Sequence, residues 1–315
     1  MKYGIGISFG SSAVQAGLFD TAGKLAARSS AGLSEVPSYA AALEKITSLA
    51  QSLGARSGKR AEFLGICVPA AVDGAAGKII RWDGDPFGLA GAPLAAELSR
   101  RLGLPVRLAG AADASALAEA RFGAGRNFDS ILSLTLGESV RCGIVCGGEI
   151  FEGFGAGGAA AEHMVVEAGG IACPCGRRGC FGQYVSGAAL VRDTRRAMFE
   201  NKDSALWQAG DPDAVTARTA FEAARSGDAA AQKVVRNYIF YLGEGIVNLV
   251  NLLHPQAAVL GGEIAKEGEY LLGPLRKYVG DRLYIGCGTA PFSVVRAALG
   301  EDDGLILGAF ATAAE

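Results

Sequence analysis

The chain of 315 residues is half hydrophobic and carries a formal net charge of −2, which supplies the apolar material for about two domain cores. Its mild acidity excludes a surface that attracts nucleic acid or an anionic membrane. There is no charged leader, no cleavable apolar run and no stretch near the roughly 20 apolar residues that span a bilayer, so a soluble, cytoplasmic protein without direct DNA or membrane binding is expected.

From the start, "KYGIGISFG" and "AVQAGLFD" read as two strands of a hairpin bending at Gly10, and "TAGKL" turns the chain into a third. From Ser38 to Leu53, apolar Ala42, Ile46, Leu49 and Leu53 recur at helical spacing. "FLGICVPAAVD" reads as a short apolar strand ended by Pro and Ala, followed by a helix from Pro93 to Leu102 and the strand "VRLAG". The next helix spans about Asp113 to Phe122, with Asp113 suited to its N-cap. This order predicts an α/β domain with a mixed sheet. A second strand group, "SILSLTLG" and "CGIVCGGEIF", follows across a glycine turn. A long helix, Asp228 to Leu253, is capped by Asp228 and stopped by His254-Pro255. "AAVLGGEIA" then reads as strand, double-glycine turn and helix. The two halves are alike, each opening with strand, glycine turn and strand. The Gly/Ala-rich stretch 153–161 is the expected mobile loop.

Of seven cysteines, Cys67, Cys142 and Cys146 sit in apolar runs, where a buried inert thiol is common, and Cys287 lies in a Gly-rich turn. The other three crowd into "ACPCGRRGC" as Cys173, Cys175 and Cys180, with His163 ten residues before the first. Zinc takes four such thiolate and imidazole ligands in a tetrahedron, and four protein ligands leave no open position for a catalytic water. Gly176 and Gly179 let the backbone curl the sulfurs together. The residues therefore predict a structural zinc site; unligated thiols in a turn are the alternative.

The spacing Cys-x-Cys-Gly-x-x-Gly-Cys after a histidine resembles the zinc signature of the ROK family of bacterial repressors and sugar kinases. The likeness extends along the chain. "GIGISFGSSAVQAGLFD" resembles that family's first phosphate loop, with Gly10, Ser11 and Ser12 at the turn, and "LTLGESVRCGIVCGGEIFEG" its second, at Gly137. "GICVPAAVD", "RLGLPVRL" and "SALAEARFGAG" resemble the stretches around its catalytic loop. "VNLLHPQAAVLGGEIA" resembles the adenosine region, at Gly261 and Gly262, and "ALGEDDGLILGA" the closing helix. The resemblance implies a two-domain, actin/hexokinase-like (ribonuclease H-like) α/β ATPase fold with an interdomain cleft. Residues 1–120 with the C-terminal helix 301–315 are the expected first domain, and 121–300 the second, carrying the zinc loop. A homodimer and a sugar-like ligand are the partners it implies.

A sugar kinase must take a proton from a sugar hydroxyl, hold the sugar and neutralise the moving phosphate. At the family's Asn-Asp pair this chain has Gly110 and Ala111, neither able to accept a proton. Asp113, two residues on, reaches the base position only through a gap. The family's sugar-binding glutamates fall on Ala160 and Gly182, with Glu162 and Gln183 as near neighbours, and its magnesium-holding aspartate falls on Ser8. Glu138 and Ser139 replace the Thr-Gly of the second phosphate loop, and a carboxylate about 4 Å from a phosphate charge costs roughly 4 kcal/mol at an effective dielectric near 20. Arg141 could offset part of that. ATP and magnesium binding are therefore doubtful on the sequence alone. A zinc-pinned, non-catalytic pseudokinase scaffold is the leading expectation, and an active ATP-dependent sugar kinase with Asp113 as displaced base the alternative.

Overall fold

The structure, a computed structural model, describes residues 2–9, 13–35, 38–82, 84–153, 160–284 and 292–314. The expected turn at Gly10, Ser11 and Ser12, Cys287 and most of the 153–161 loop lie outside them. β1 (Tyr3–Phe9), β2 (Ala13–Asp20) and β3 (Leu25–Gly32) form an antiparallel meander. α1 (Tyr39–Ser57) starts where the Ser38 hydroxyl accepts the Ala41 N–H and ends where Gly58 turns left-handed at φ 65°. Its Leu43, Ile46 and Leu53 are buried in one cluster with Ile5 and Ile7 of β1, each such side chain contributing about 1.5–3 kcal/mol.

β4 (Ala61–Val68) joins β1 in parallel. "FLGICVPAAVD" does not continue as one strand. Pro69 has no N–H to offer a ladder, and beyond it β5 (Ala71–Asp73) pairs with β6 (Lys78–Arg81) in a separate antiparallel hairpin. α2 (Leu94–Leu102), β7 (Val106–Gly110) and α3 (Ala111–Phe122) follow, and the first sheet has the order β3-β2-β1-β4-β7.

The second half repeats the plan. β8 (Ile131–Leu136), β9 (Val140–Cys146), β10 (Glu149–Ile150), β11 (Ala257–Gly261) and β12 (Ser293–Arg296) make a sheet of order β10-β9-β8-β11-β12. Between β10 and β11 run α4 (Gly182–Val185), α5 (Gly187–Glu200), α6 (Thr219–Arg225) and the long α7 (Ala229–Leu253). The Asp228 carboxylate caps α7 on Ala231 N at 2.7 Å, and His254 closes it in the left-handed region. α8 (Glu269–Gly280) precedes β12, and α9 (Glu301–Ala313) ends the chain. Among the described residues no helix is long and apolar enough to cross a membrane.

Two compact units result: Met1–Ser133 with Gly143–Ala159 and Ala298–Glu315, and Leu134–Cys142 with Ala160–Ala297. Gly143 of β9 lies against α3 in the first unit. A Cβ at Gly143 would stand 2.3 Å from the Ala112 carbonyl oxygen. In the first unit α9 lies directly on the sheet: Cβ atoms at Gly6 and Gly65 would stand 1.8 and 1.7 Å from the carbonyl oxygens of Ile306 and Ala309. Glu119, 3% exposed, fastens the approach to that helix. Its carboxylate accepts the N–H groups of Ala124 at 2.7 Å, Ala298 at 3.2 Å and Leu299 at 2.8 Å.

Candidate active site and metal centre

In the first unit the residues at the expected proton-transfer position are inert: Gly110 ends β7 and Ala111 begins α3. Asp113 is not the N-cap. Ala111 and Ala112 are good helix formers, so the helix starts earlier, Gly110 occupies the cap, and Asp113 is the third helical residue. An acidic side chain there suits the positive end of the helix. Its Oδ1 is buried with no hydrogen-bond partner among the described residues, and its Oδ2 lies 3.2 Å from where a Cβ on Gly110 would stand. Burial, and secondarily the charge of Glu152, push this carboxyl up to about 7. A carboxyl in that range is present both as acid and as base at neutral pH, which is what proton transfer needs. Ser8, on β1, is 1% exposed and its hydroxyl lacks a partner among the described residues.

In the second unit Gly137 follows β8 and its carbonyl accepts the Gly187 N–H at 2.7 Å. Gly262 has φ 84°, and a Cβ on it would stand 2.4 Å from the Leu136 carbonyl oxygen. The two glycine turns singled out in the sequence, Gly137 and Gly261-Gly262, therefore meet. Beside them opens a cavity of about 740 Å³ whose lining includes Gly137, Glu138, Ala188, Arg192, Arg196, Phe199, Glu263 and Ile264. The arginines on this wall are already engaged: Arg192 donates to both Asp193 oxygens at 3.0 Å, and Arg196 pairs with the same carboxylate at 3.3 Å. The α5 wall is not evident from the sequence. The spacing of Arg192, Arg195, Arg196 and Phe199 along one helix is the only trace of it there.

The four expected metal ligands come together in the same unit. The nitrogen of His163 and the sulfurs of Cys173, Cys175 and Cys180 lie within 4.8 Å of one another. His163 Nδ1 is 3.6 Å from Cys173 Sγ, and Cys175 Sγ is 3.6 Å from Cys180 Sγ. Neighbouring ligand atoms around a tetrahedral zinc stand roughly 3.4–3.8 Å apart, so the donor set fits. Gly176 and Gly179 hold φ of 90° and 80°, and a Cβ on Gly179 would meet the Glu167 carbonyl oxygen at 1.7 Å, so the curl expected of these glycines is present. Without a cation, burial and the neighbouring thiols push Cys180 up, whereas backbone N–H and thiol hydrogen bonds draw Cys175 down. Arg177 and Arg178 donate to the carbonyl oxygens of His163 and Gly169, both at 3.2 Å, which ties the turn to its flanking backbone.

Around the metal loop the other expected sugar contacts are changed in kind. Glu162 approaches His163 Nε2 at 3.9 Å, on the imidazole nitrogen turned away from the cysteines. Its Cβ and carbonyl cover Gly182, each 3.4 Å from where a Cβ there would be, and burial pushes its carboxyl up. In the first unit Trp82 and Phe87 pack with Phe9 at ring separations of 5.5–6.0 Å, which makes them a packed aromatic edge.

The comparisons with known proteins agree with this geometry. The chain is 34% identical over 253 residues to a glucokinase of Thermotoga maritima, covering 79% of this chain and 78% of the relative. It is 30% identical over 312 residues to a glucokinase of Streptomyces coelicolor, covering 96% and 95%. Its fold matches the ROK family glucokinase of Streptomyces griseus in complex with glucose and AMPPNP, with a TM-score of 0.76, 30% identity and 99% of both chains covered. The α/β architecture is thus that of the actin/hexokinase-like ATPases. With the family model matching residues 4–315, nearly the whole length, the chain belongs to the ROK family.

Proposed function

We propose that the chain is an ATP-dependent kinase of a hexose-like sugar in which Asp113 is the proton acceptor. The observation that carries this reading is the Asp113 carboxyl itself, half-buried, with one oxygen unpartnered among the described residues and held up to about 7. Relatives that are glucokinases over nearly the whole length favour turnover over the non-catalytic scaffold suggested by the substitutions alone. The AMPPNP held by the Streptomyces griseus relative likewise weighs against the doubt about ATP. The sugar hydroxyl gives its proton to the Asp113 carboxylate as its oxygen bonds to the γ-phosphorus, the bond to the β,γ-bridging oxygen breaks, and ADP leaves.

The nucleotide goes to the 740 Å³ cavity beside Gly137 and Gly262, and His163 Nε2 with Glu162 serves the sugar. Zinc held by His163, Cys173, Cys175 and Cys180 supplies rigidity to that loop. Magnesium is a different matter: Ser8 offers a neutral buried hydroxyl, which does not fit an ion that prefers carboxylate oxygens. A second copy of the chain is the expected partner, and the exposed Phe240 and Leu252 of α7 are suited to it.

The test is ADP release with Mg-ATP across a sugar panel, wild type against Asp113→Asn. Sugar-dependent turnover that drops about 10²–10⁴-fold in the variant is expected. Turnover that survives in Asp113→Asn removes the base from this residue. Nucleotide binding without turnover in the wild type would favour the second reading, a binding scaffold, for which Gly110, Ala111, Ala160 and Gly182 are the supporting residues.

A further inference from the structure

Glu152 follows β10, at the end of the stretch that resembles the second phosphate loop, and no role is given to it above. Its carboxylate reaches the turn between β5 and β6, where Gly74 leaves space for it: a Cβ on Gly74 would stand 2.6 Å from Glu152 Oε1, with the Leu108 carbonyl oxygen of β7 at 3.5 Å. The end of β7 also borders Asp113, whose Oδ2 is 3.2 Å from a Cβ placed on Gly110, with the Ala70 carbonyl oxygen at 3.3 Å from the same point. Two carboxylates from separate segments thus share one small region of the first unit, between the β5–β6 hairpin, the end of β7 and the first turn of α3.

Other charged groups stand on the surrounding elements: Glu62 on β4, Asp73 on β5, Lys78 and Arg81 on β6, Arg107 on β7, Glu149 on β10, and Glu301, Asp302 and Asp303 on α9. Burial acts most on Asp113, and the charge of Glu152 acts second. No ion pair or hydrogen bond of the Glu152 carboxylate competes for it among the described residues. Its seat is made by a missing side chain, and Gly74 is not among the residues whose backbone requires glycine.

We propose that Glu152, lodged against Gly74, is the positioning residue of the proton acceptor: it sets the local field in which Asp113 takes a proton from the substrate hydroxyl near neutral pH. The inference rests on the reading of Asp113 as the base. A like charge beside the acceptor raises its affinity for a proton, and a base poised near the working pH gains more from accepting one.

The test follows the Asp113 carboxyl directly, by carbon NMR of the chain labelled at its aspartate carboxyls, with the signal assigned by its loss in Asp113→Asn. Titration from pH 4 to 9 is compared for wild type, Glu152→Gln, Gly74→Ala and Glu149→Gln. Removing the Glu152 charge should move the Asp113 midpoint down by roughly 0.5–1 unit. Gly74→Ala keeps that charge but dislodges it, and should move the midpoint in the same direction. Glu149→Gln should leave it in place, and the acid limb of kcat/KM should follow the midpoint in each variant. A midpoint unmoved in both Glu152→Gln and Gly74→Ala overturns the proposal, as does an equal move in Glu149→Gln. The titration needs no turnover, so a wild-type chain that transfers no phosphate refutes Asp113 as base while Glu152 is still decided by the midpoints.

Discussion

Replacing Asp113 with asparagine separates what the carboxyl costs the fold from what it does for the chemistry. In the folded chain the group is raised from 3.8 to about 7, by burial first and by Glu152 second. Between roughly pH 4 and 7 the native state therefore holds a proton that the unfolded chain has released. Stability falls as pH rises through that window, and the full cost is present above pH 7. A rise of about three units corresponds to about 4 kcal/mol. Asparagine has nearly the same shape and no charge, so the variant escapes that cost. At pH 8 it should melt higher than wild type by on the order of 6 °C, taking about 1.5 °C per kcal/mol for a chain of this size. Near pH 4 the difference should vanish. Scanning calorimetry at pH 4, 5, 6, 7 and 8 measures it, and the same variant should have lost its turnover. A difference in melting temperature that does not grow with pH would refute the reasoning, because a carboxyl that ionises freely in the fold has no such cost to remove.

Other consequences can be read with equally direct measurements. The purified chain should hold one zinc by elemental analysis, and Cys173→Ser should weaken zinc binding by more than about 100-fold, since changes merely adjacent to a ligand cost 10–100-fold. Glu138→Gly removes a carboxylate from the wall of the cavity proposed for the nucleotide and should tighten ATP binding by calorimetry at least about tenfold, given roughly 2–4 kcal/mol per charge pair at 4–8 Å. Gly262→Ala must force a methyl group against the Leu136 carbonyl oxygen at a positive φ, and should lower stability by about 2–3 kcal/mol in urea unfolding. Glu119→Ala strands three backbone N–H groups and should cost about 3–5 kcal/mol by the same assay.

How far the sequence could be read depended on whether each signal was local. The clustering of His163 with Cys173, Cys175 and Cys180 was legible because four ligand-type residues within 18 positions carry their own geometry. The Asp228 helix cap was legible for the same reason, being settled by one hydrogen bond to a residue three positions on. The Asp113 cap failed because two alanines ahead of it let the helix begin at Ala111. The β5–β6 hairpin was hidden inside an apolar run that only Pro69 interrupts. Function was harder still to read. Comparing motif positions one by one makes Gly110, Ala111, Ala160 and Gly182 look like losses. It cannot show that Glu162 covers Gly182 or that Glu152 fills the gap over Gly74, because those pairings join residues 20 and 78 positions apart in the chain.

The seating of α9 has a consequence for synthesis. Gly6 and Gly65 touch its backbone directly, and Ile306 and Phe310 bury against Phe19, so β1 and β4 have no finished core until α9, made much later, leaves the ribosome. At about 5–20 residues per second, the segment from Gly65 to α9 takes on the order of 10–50 seconds to translate, and β1 and β4 wait through it with one face uncovered. The second unit, Leu134–Cys142 with Ala160–Ala297, is complete before then. The later-made unit should thus become protease-resistant first on stalled nascent chains, and the N-terminal sheet should be the client that chaperones hold.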